Sequence, residues 1–134
     1  MNDTKPNTST AVTRGIRVRA ESRLVPEQSS PSDDRWFFAY TIRIENDGAA
    51  TVRLLSRHWI ITDGNGRVEE VRGPGVVGQQ PVLGPGASFE YTSACPLPTP
   101  FGVMEGSYQM STESGERFDV RIAPFSLSEP YAIN

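Results

Sequence analysis

Turn-forming residues interrupt this chain about every 8 to 12 residues, and between them the side chains alternate apolar with polar at the period of a β-strand. No convincing amphipathic helix is left. The 12 glycines and 11 prolines among 134 residues make about 17% of the chain, against an ordinary sum near 12%. A chain of this length forms one domain that buries roughly 70% of its unfolded surface.

From Arg14 onward Ile16, Val18, Ala20 and Leu24 fall on one side, and Arg17, Arg19, Glu21 and Arg23 on the other. Residues 26–35 carry two prolines among polar residues and read as a solvated loop. The strongest strand follows, with Trp36, Phe38, Tyr40, Ile42 and Ile44 opposite Phe37, Ala39, Thr41, Arg43 and Glu45. It ends at Asn46-Asp47-Gly48, a hairpin signal. Residues 51–62 form the next strand, whose alternation slips around Ser56 to His58 as a bulge would cause. Residues 63–66 turn the chain again, residues 67–72 form a short strand, and residues 73–85 read as a shaped loop with at most a short strand inside. A strand over residues 87–95 ends where three prolines in residues 96–102 break the pairing. Residues 103–112 and 116–124 close the fold, with Phe118, Val120 and Ile122 inward against Tyr108 and Met110. These seven to eight strands predict an all-β, antiparallel β-sandwich. Residues 1–13, polar with little to bury, read as a disordered N-terminal tail, residues 14–127 as the domain, and residues 128–134 as a C-terminal tail.

Composition narrows the function. Thirteen basic against sixteen acidic residues give a net charge of −3, so general nucleic-acid binding is disfavoured. One cysteine, Cys95, excludes an internal disulfide, and with the single His58 it cannot complete a zinc site. No apolar run approaches the ~20 residues of a membrane span, and the start lacks a leader's apolar stretch, so the expected location is the cytoplasm, which suits a free thiol.

The motif Gly73-x-Gly75-x-x-Gly78 has the spacing of a dinucleotide-binding turn, yet Pro74 and Pro81 interrupt it and no helix follows. Two readings remain: a backbone nest for an anion, or a tight loop whose glycines supply positive φ. Cys95 and His58 are a candidate nucleophile and base without supporting residues nearby. Asp33, Asp34, Asp63, Glu69 and Glu70 are possible oxygen ligands for a hard cation, but adjacent carboxylates on a strand point to opposite faces. Ser93 lacks a nucleophile elbow. Arg17, Arg19 and Arg23 form a stripe that could grip an anion, or pair with neighbouring acids such as Glu21 and Glu45 and blunt an edge strand.

Six strings carry a family resemblance: residues 38–46 (FAYTIRIEN), 54–63 (LLSRHWIITD), 73–81 (GPGVVGQQP), 89–93 (FEYTS), 102–110 (GVMEGSYQM) and 118–127 (FDVRIAPFSL). In order and without large gaps, they resemble the ApaG domain family. The resemblance implies a fibronectin type III or immunoglobulin-like sandwich. It further implies a small stand-alone bacterial protein, often encoded beside the hydrolase of diadenosine tetraphosphate, with links to cobalt resistance and magnesium efflux. Related domains at the ends of certain eukaryotic F-box proteins and of a DNA-polymerase-δ-interacting protein are regarded as protein-interaction modules. The family brings no catalytic residue set, and its glycine motif, here Gly73, Gly75 and Gly78, has been proposed as a pyrophosphate-binding loop.

The expected function is therefore a non-enzymatic module that presents Trp36, Phe37, the glycine loop and residues 96–101 to a protein partner. The alternative is a sensor in which Gly73, Gly75 and Gly78 bind a nucleotide polyphosphate, a metal-phosphate complex or, weakly, a divalent cation. A dinucleotide hydrolase ranks last, because no positioned acid-base groups are evident. No cofactor, catalytic residue, metal ligand or membrane contact is expected.

Overall fold

The alternating segments pair into two antiparallel sheets stacked as a sandwich. The computed structural model describes residues 7–129. In chain order its strands are β1 (Thr8–Thr13), β2 (Ile16–Leu24), β3 (Trp36–Asn46), β4 (Val52–Asp63), β5 (Val68–Pro74), β6 (Val82–Leu83), β7 (Ser88–Leu97), β8 (Phe101–Thr112) and β9 (Arg117–Ser128). One sheet runs β1-β2-β3-β7 and the other β5-β4-β8-β9, with β6 also on β4. Residues 26–35 hold two single 3-10 turns, Pro26–Gln28 and Pro31–Asp33, and one bridge between Ser30 and Arg35.

The inner faces form the core. Ile16 and Val18 from β2, Phe38, Ile42 and Ile44 from β3, and Tyr108, Met110, Val120, Ile122 and Phe125 from the other sheet are buried. Trp59 sits edge-on to Tyr40, Phe125 and Tyr108, with ring centroids 5.3, 6.1 and 6.4 Å away, the arrangement that aromatic quadrupoles favour.

Several expectations need correction. The disordered tail is wrong for Thr8–Thr13, which pairs along β2 from Thr8 opposite Glu21 to Thr13 opposite Ile16. Its threonines and valine suit a pleated edge, and Arg14-Gly15, at φ 50 and 81, make the two-residue turn that lets it fold back. Residues 1–6 and 130–134 of the two expected tails lie outside the described residues, while Ser128 belongs to β9. The described residues hold nine strands: β1 is the addition, and β6 is the short strand allowed for within residues 73–85.

Asn46-Asp47-Gly48 is not a hairpin turn. Both sides of β3 are taken, by β2 and β7, so the chain crosses to the other sheet instead. The side chain of buried Asn46 holds this corner: Nδ2 donates to the carbonyls of Ala50 (2.8 Å) and Leu83 (2.9 Å), and Oδ1 accepts from the Gly48 amide (2.9 Å). Pro96 does not break β7, which continues to Leu97 opposite Trp36. As β7 borders its sheet, the missing N–H of Pro96 can fall on the unpaired side. Because β1 covers β2, the arginine stripe lies on an interior strand, where Arg17 pairs with Asp47 at 3.1 Å.

The two flanks of the sandwich differ. On one, β9 is stitched across to β1 and β2: Ser9 Oγ donates to the Ala123 carbonyl (2.8 Å), the Arg121 amide to Thr13 Oγ1 (3.1 Å), and Ser22 Oγ to the Ser126 carbonyl. On the other, β5 and β7 face one another across a groove. Among the described residues no helix is long and apolar enough to cross a membrane.

Candidate functional site

The groove begins with a bulge in β4. Leu54 pairs with Met110 and Ser56 with Gln109, so Leu55 is an extra residue in the register. The slip expected around Ser56 to His58 lies just before them, at Leu55, and its effect is a change of phase. Before it, Val52 and Leu54 face the core; after it, Arg57, Trp59 and Ile61 do. An arginine thereby enters the inward row, beside Tyr108 on β8 and Gly73 on β5.

The glycine loop is shaped around this arginine. Arg57 Nη1 donates to the carbonyls of Pro74 (2.9 Å) and Gly75 (3.0 Å). Gly73 leaves space for the guanidinium, and Gly75, at φ 59, lies so close to the Gln79 carbonyl that a Cβ would stand 2.2 Å from its oxygen. Val76 and Gln79 exchange backbone hydrogen bonds (2.8 Å each) around Val77 and Gly78, both at positive φ, as in a type I′ turn. The Gly75 amide donates to the Leu55 carbonyl (2.8 Å). Three loop amides are therefore engaged within the protein, and the loop turns two carbonyls, not amides, toward Arg57. The group best placed to meet an anion here is the guanidinium itself.

Two lobes meet at Tyr40, Arg57 and Ser93. The first, about 360 Å³, has Pro74, Val76, Val77 and Gly78 as its far wall. The second, about 320 Å³, has Ile61, Val71, Cys95, Pro96 and Met104 as its apolar wall and Glu69 as its carboxylate. Tyr91 and Tyr108 join their hydroxyls across the sandwich at 2.5 Å. Burial raises the pKa values of Tyr40, Tyr91 and Tyr108, against the opposing influence of the Arg57 charge, so these hydroxyls stay neutral donors. Arg57 has no carboxylate within ion-pair distance among the described residues.

Of the other candidates, Cys95, Ser93 and Glu69 line the second lobe together, and His58 is kept apart from them. Cys95 is buried on the inner face of β7, and burial pushes its thiol up to about 12, with the Glu69 charge a lesser cause. His58 faces the outer side of β4, its Nε2 2.7 Å from Glu70 Oε1. A Cys95/His58 dyad is therefore absent. Asp63 accepts the amides of Asn65 (2.8 Å) and Arg67 (3.0 Å), and Glu70 is shared with Arg72 at 3.6 Å. No group of three His, Cys, Asp or Glu side chains converges among the described residues. Ser93 lies within hydrogen-bonding reach of the Tyr40 hydroxyl. Trp36 and Phe37 pair with Leu97 and Pro96 beyond the second lobe, at the end of the groove away from the glycine loop. The sequence reading missed Arg57, Tyr40 and Tyr91; counting the strand phase through a bulge at Leu55 would have turned Arg57 inward.

A family model described as the ApaG domain matches residues 26–112. Protein ApaG of Methylobacterium sp. (strain 4-46) is 60% identical over 121 residues, covering 90% of this chain and 93% of its own. That of Rhodospirillum centenum is 59% identical over 120 residues, covering 90% and 92%. Among solved structures, the ApaA protein from Bordetella pertussis superposes with a TM-score of 0.84 at 53% identity, over 96% of this chain and 99% of that one.

Proposed function

As the chain belongs to the ApaG domain family, we propose that it is a non-enzymatic binding module whose open flank holds a protein partner. The observation that carries this reading is the difference between the flanks: one is sewn shut by β1, β2 and β9, and the other leaves a groove with an arginine at its centre. Exposed strand edges on a rigid scaffold are a natural place for recognition. The separation of Cys95 from His58 favours binding over chemistry, because covalent catalysis needs nucleophile and base in contact. Any effect on cobalt resistance or magnesium efflux then runs through the partner. A cytoplasmic setting suits the lone thiol of Cys95.

Affinity capture from a bacterial lysate tests this, with Val71→Asp in the groove and Arg19→Ala on the outer face of β2 as the control. A partner kept by the control and lost with Val71→Asp supports the reading. A partner indifferent to Val71→Asp places the interface elsewhere. Turnover of diadenosine tetraphosphate by the purified protein, lost on replacing His58, would replace binding with catalysis.

A nucleotide polyphosphate at the glycine loop is the second reading, favoured by the uncompensated Arg57 beside Gly73, Gly75 and Gly78. Its test is an amide NMR titration with diadenosine tetraphosphate, with and without magnesium. Saturable shifts at those glycines below about 1 mM, some 4 kcal/mol of binding, would establish it.

A further inference from the structure

We infer that the groove reads the free C-terminal carboxylate of a peptide whose last side chain is apolar, with Arg57 as the carboxylate receptor. This rests on the proposal that the open flank holds a protein partner and names what it takes from that partner.

Arg57 is half-buried on the inward row, with no carboxylate partner among the described residues. Its Nη1 is committed to the Pro74 and Gly75 carbonyls, which hold the side chain across the groove. Nε and Nη2 are taken up by no hydrogen bond from a described residue, and a guanidinium with one side anchored can present the other as a fork to a carboxylate. The hydroxyls of Tyr40 and Ser93 line the same junction and can donate beside it.

The two lobes decide which carboxylate. They share Arg57, so the anion must sit directly beside whatever fills the second lobe. That lobe offers Ile61, Val71, Pro96 and Met104, a wall for an aliphatic or aromatic side chain. In a C-terminal residue a single Cα separates carboxylate from side chain, which matches this adjacency. The carboxylate of an internal Asp or Glu carries polar backbone next to it on both sides. Glu69 in the second lobe repels a further anion there, which disfavours a polyphosphate running through both lobes. The preceding residues of the peptide can lie extended against the free edge of β5 or β7, where unpaired backbone groups are available.

The test is an array of synthetic hexapeptides ending in each of the twenty amino acids, made once with free carboxylates and once amidated. It is read with the wild-type protein, Arg57→Gln and Gly73→Ala. The expected result is retention of free peptides ending in Leu, Ile, Val, Met or Phe, with at least a tenfold loss on amidation and with Arg57→Gln. Gly73→Ala, which leaves the arginine in the chain but crowds its guanidinium, weakens the same peptides and guards against misfolding of Arg57→Gln. Equal retention of amidated peptides, preference for charged last residues, or no retention of free peptides overturns the inference. So does complete displacement by diadenosine tetraphosphate with matching shifts at Gly75 and Gly78, which would assign Arg57 to phosphate. Failure here combined with partner loss in Val71→Asp leaves the open flank standing without its carboxylate. Indifference to Val71→Asp removes both.

Discussion

A Cβ placed on Gly73 would stand 2.9 Å from a guanidinium nitrogen of Arg57. The obstacle is the far end of a flexible side chain, so Gly73→Ala is expected to cost under about 1 kcal/mol while displacing Arg57 from the Pro74 and Gly75 carbonyls. At Gly75 the obstacle is backbone, the Gln79 carbonyl, and φ is 59, so Gly75→Ala is expected to cost about 2 kcal/mol or more. Urea midpoints together with the Arg57 Nε–H resonance separate the two. Equal losses of stability, or an unmoved Arg57 signal in Gly73→Ala, would show that the loop is not built around the arginine.

Val77 is a β-branched residue at φ 42 on the tip of the same loop, and 52% exposed. This conformation is one that branched side chains resist, whereas Asn adopts it readily. Val77→Asn is therefore expected to stabilise the fold by about 1 kcal/mol, raising the melting temperature by roughly 3 °C. A lower melting temperature would mean that Val77 gains more from contacts in the first lobe than its backbone loses.

Replacing Asn46 by Ala strands the Ala50 and Leu83 carbonyls and the Gly48 amide at the corner between the sheets. One buried side chain making three hydrogen bonds predicts a loss of about 2–4 kcal/mol. A urea midpoint within error of the wild type would show that water replaces those bonds and that the corner stands without them.

Alkali should unfold this protein early. Cys95, Tyr40, Tyr91 and Tyr108 all have raised pKa values in the folded state, chiefly through burial. From pH 9 to about 12 the unfolded chain gives up protons that the folded chain retains, so stability falls as pH rises and is unaffected by these groups below that window. Urea midpoints at pH 7, 9 and 10.5 check the slope, and Cys95→Ala should flatten its first part. At pH 8 the folded thiol should resist a disulfide reagent that modifies the unfolded chain at once; equal rates would contradict its burial.

The strands were readable because their inward residues repeat at period two, as in Ile16, Val18 and Ala20 or Phe38, Tyr40 and Ile42, a direct consequence of backbone geometry. Thr8–Thr13 escaped because its stability comes from β2 and not from its own burial. Asn46 read as a hairpin because a local turn signal carries no information about which sheet lies beyond it. The candidate site was half visible. Its glycines stood out, but the residue they surround did not, since the phase of Arg57 depends on one uncounted residue, Leu55. His58 drew attention as a titratable group, yet the same phase change sends it to the outer face, against Glu70.

The stitched flank also settles where the chain can be joined to other things. Residues near both ends of the described chain lie there: Asn7 binds Ser22 through its side chain, and Ser22 in turn binds the Ser126 carbonyl. Neighbouring ends make a domain easy to splice into a longer polypeptide, or to permute by joining the old ends and cutting elsewhere. A tether joined beside Asn7 or Ser126 would sit on the flank opposite β5 and β7, leaving the groove free for a partner.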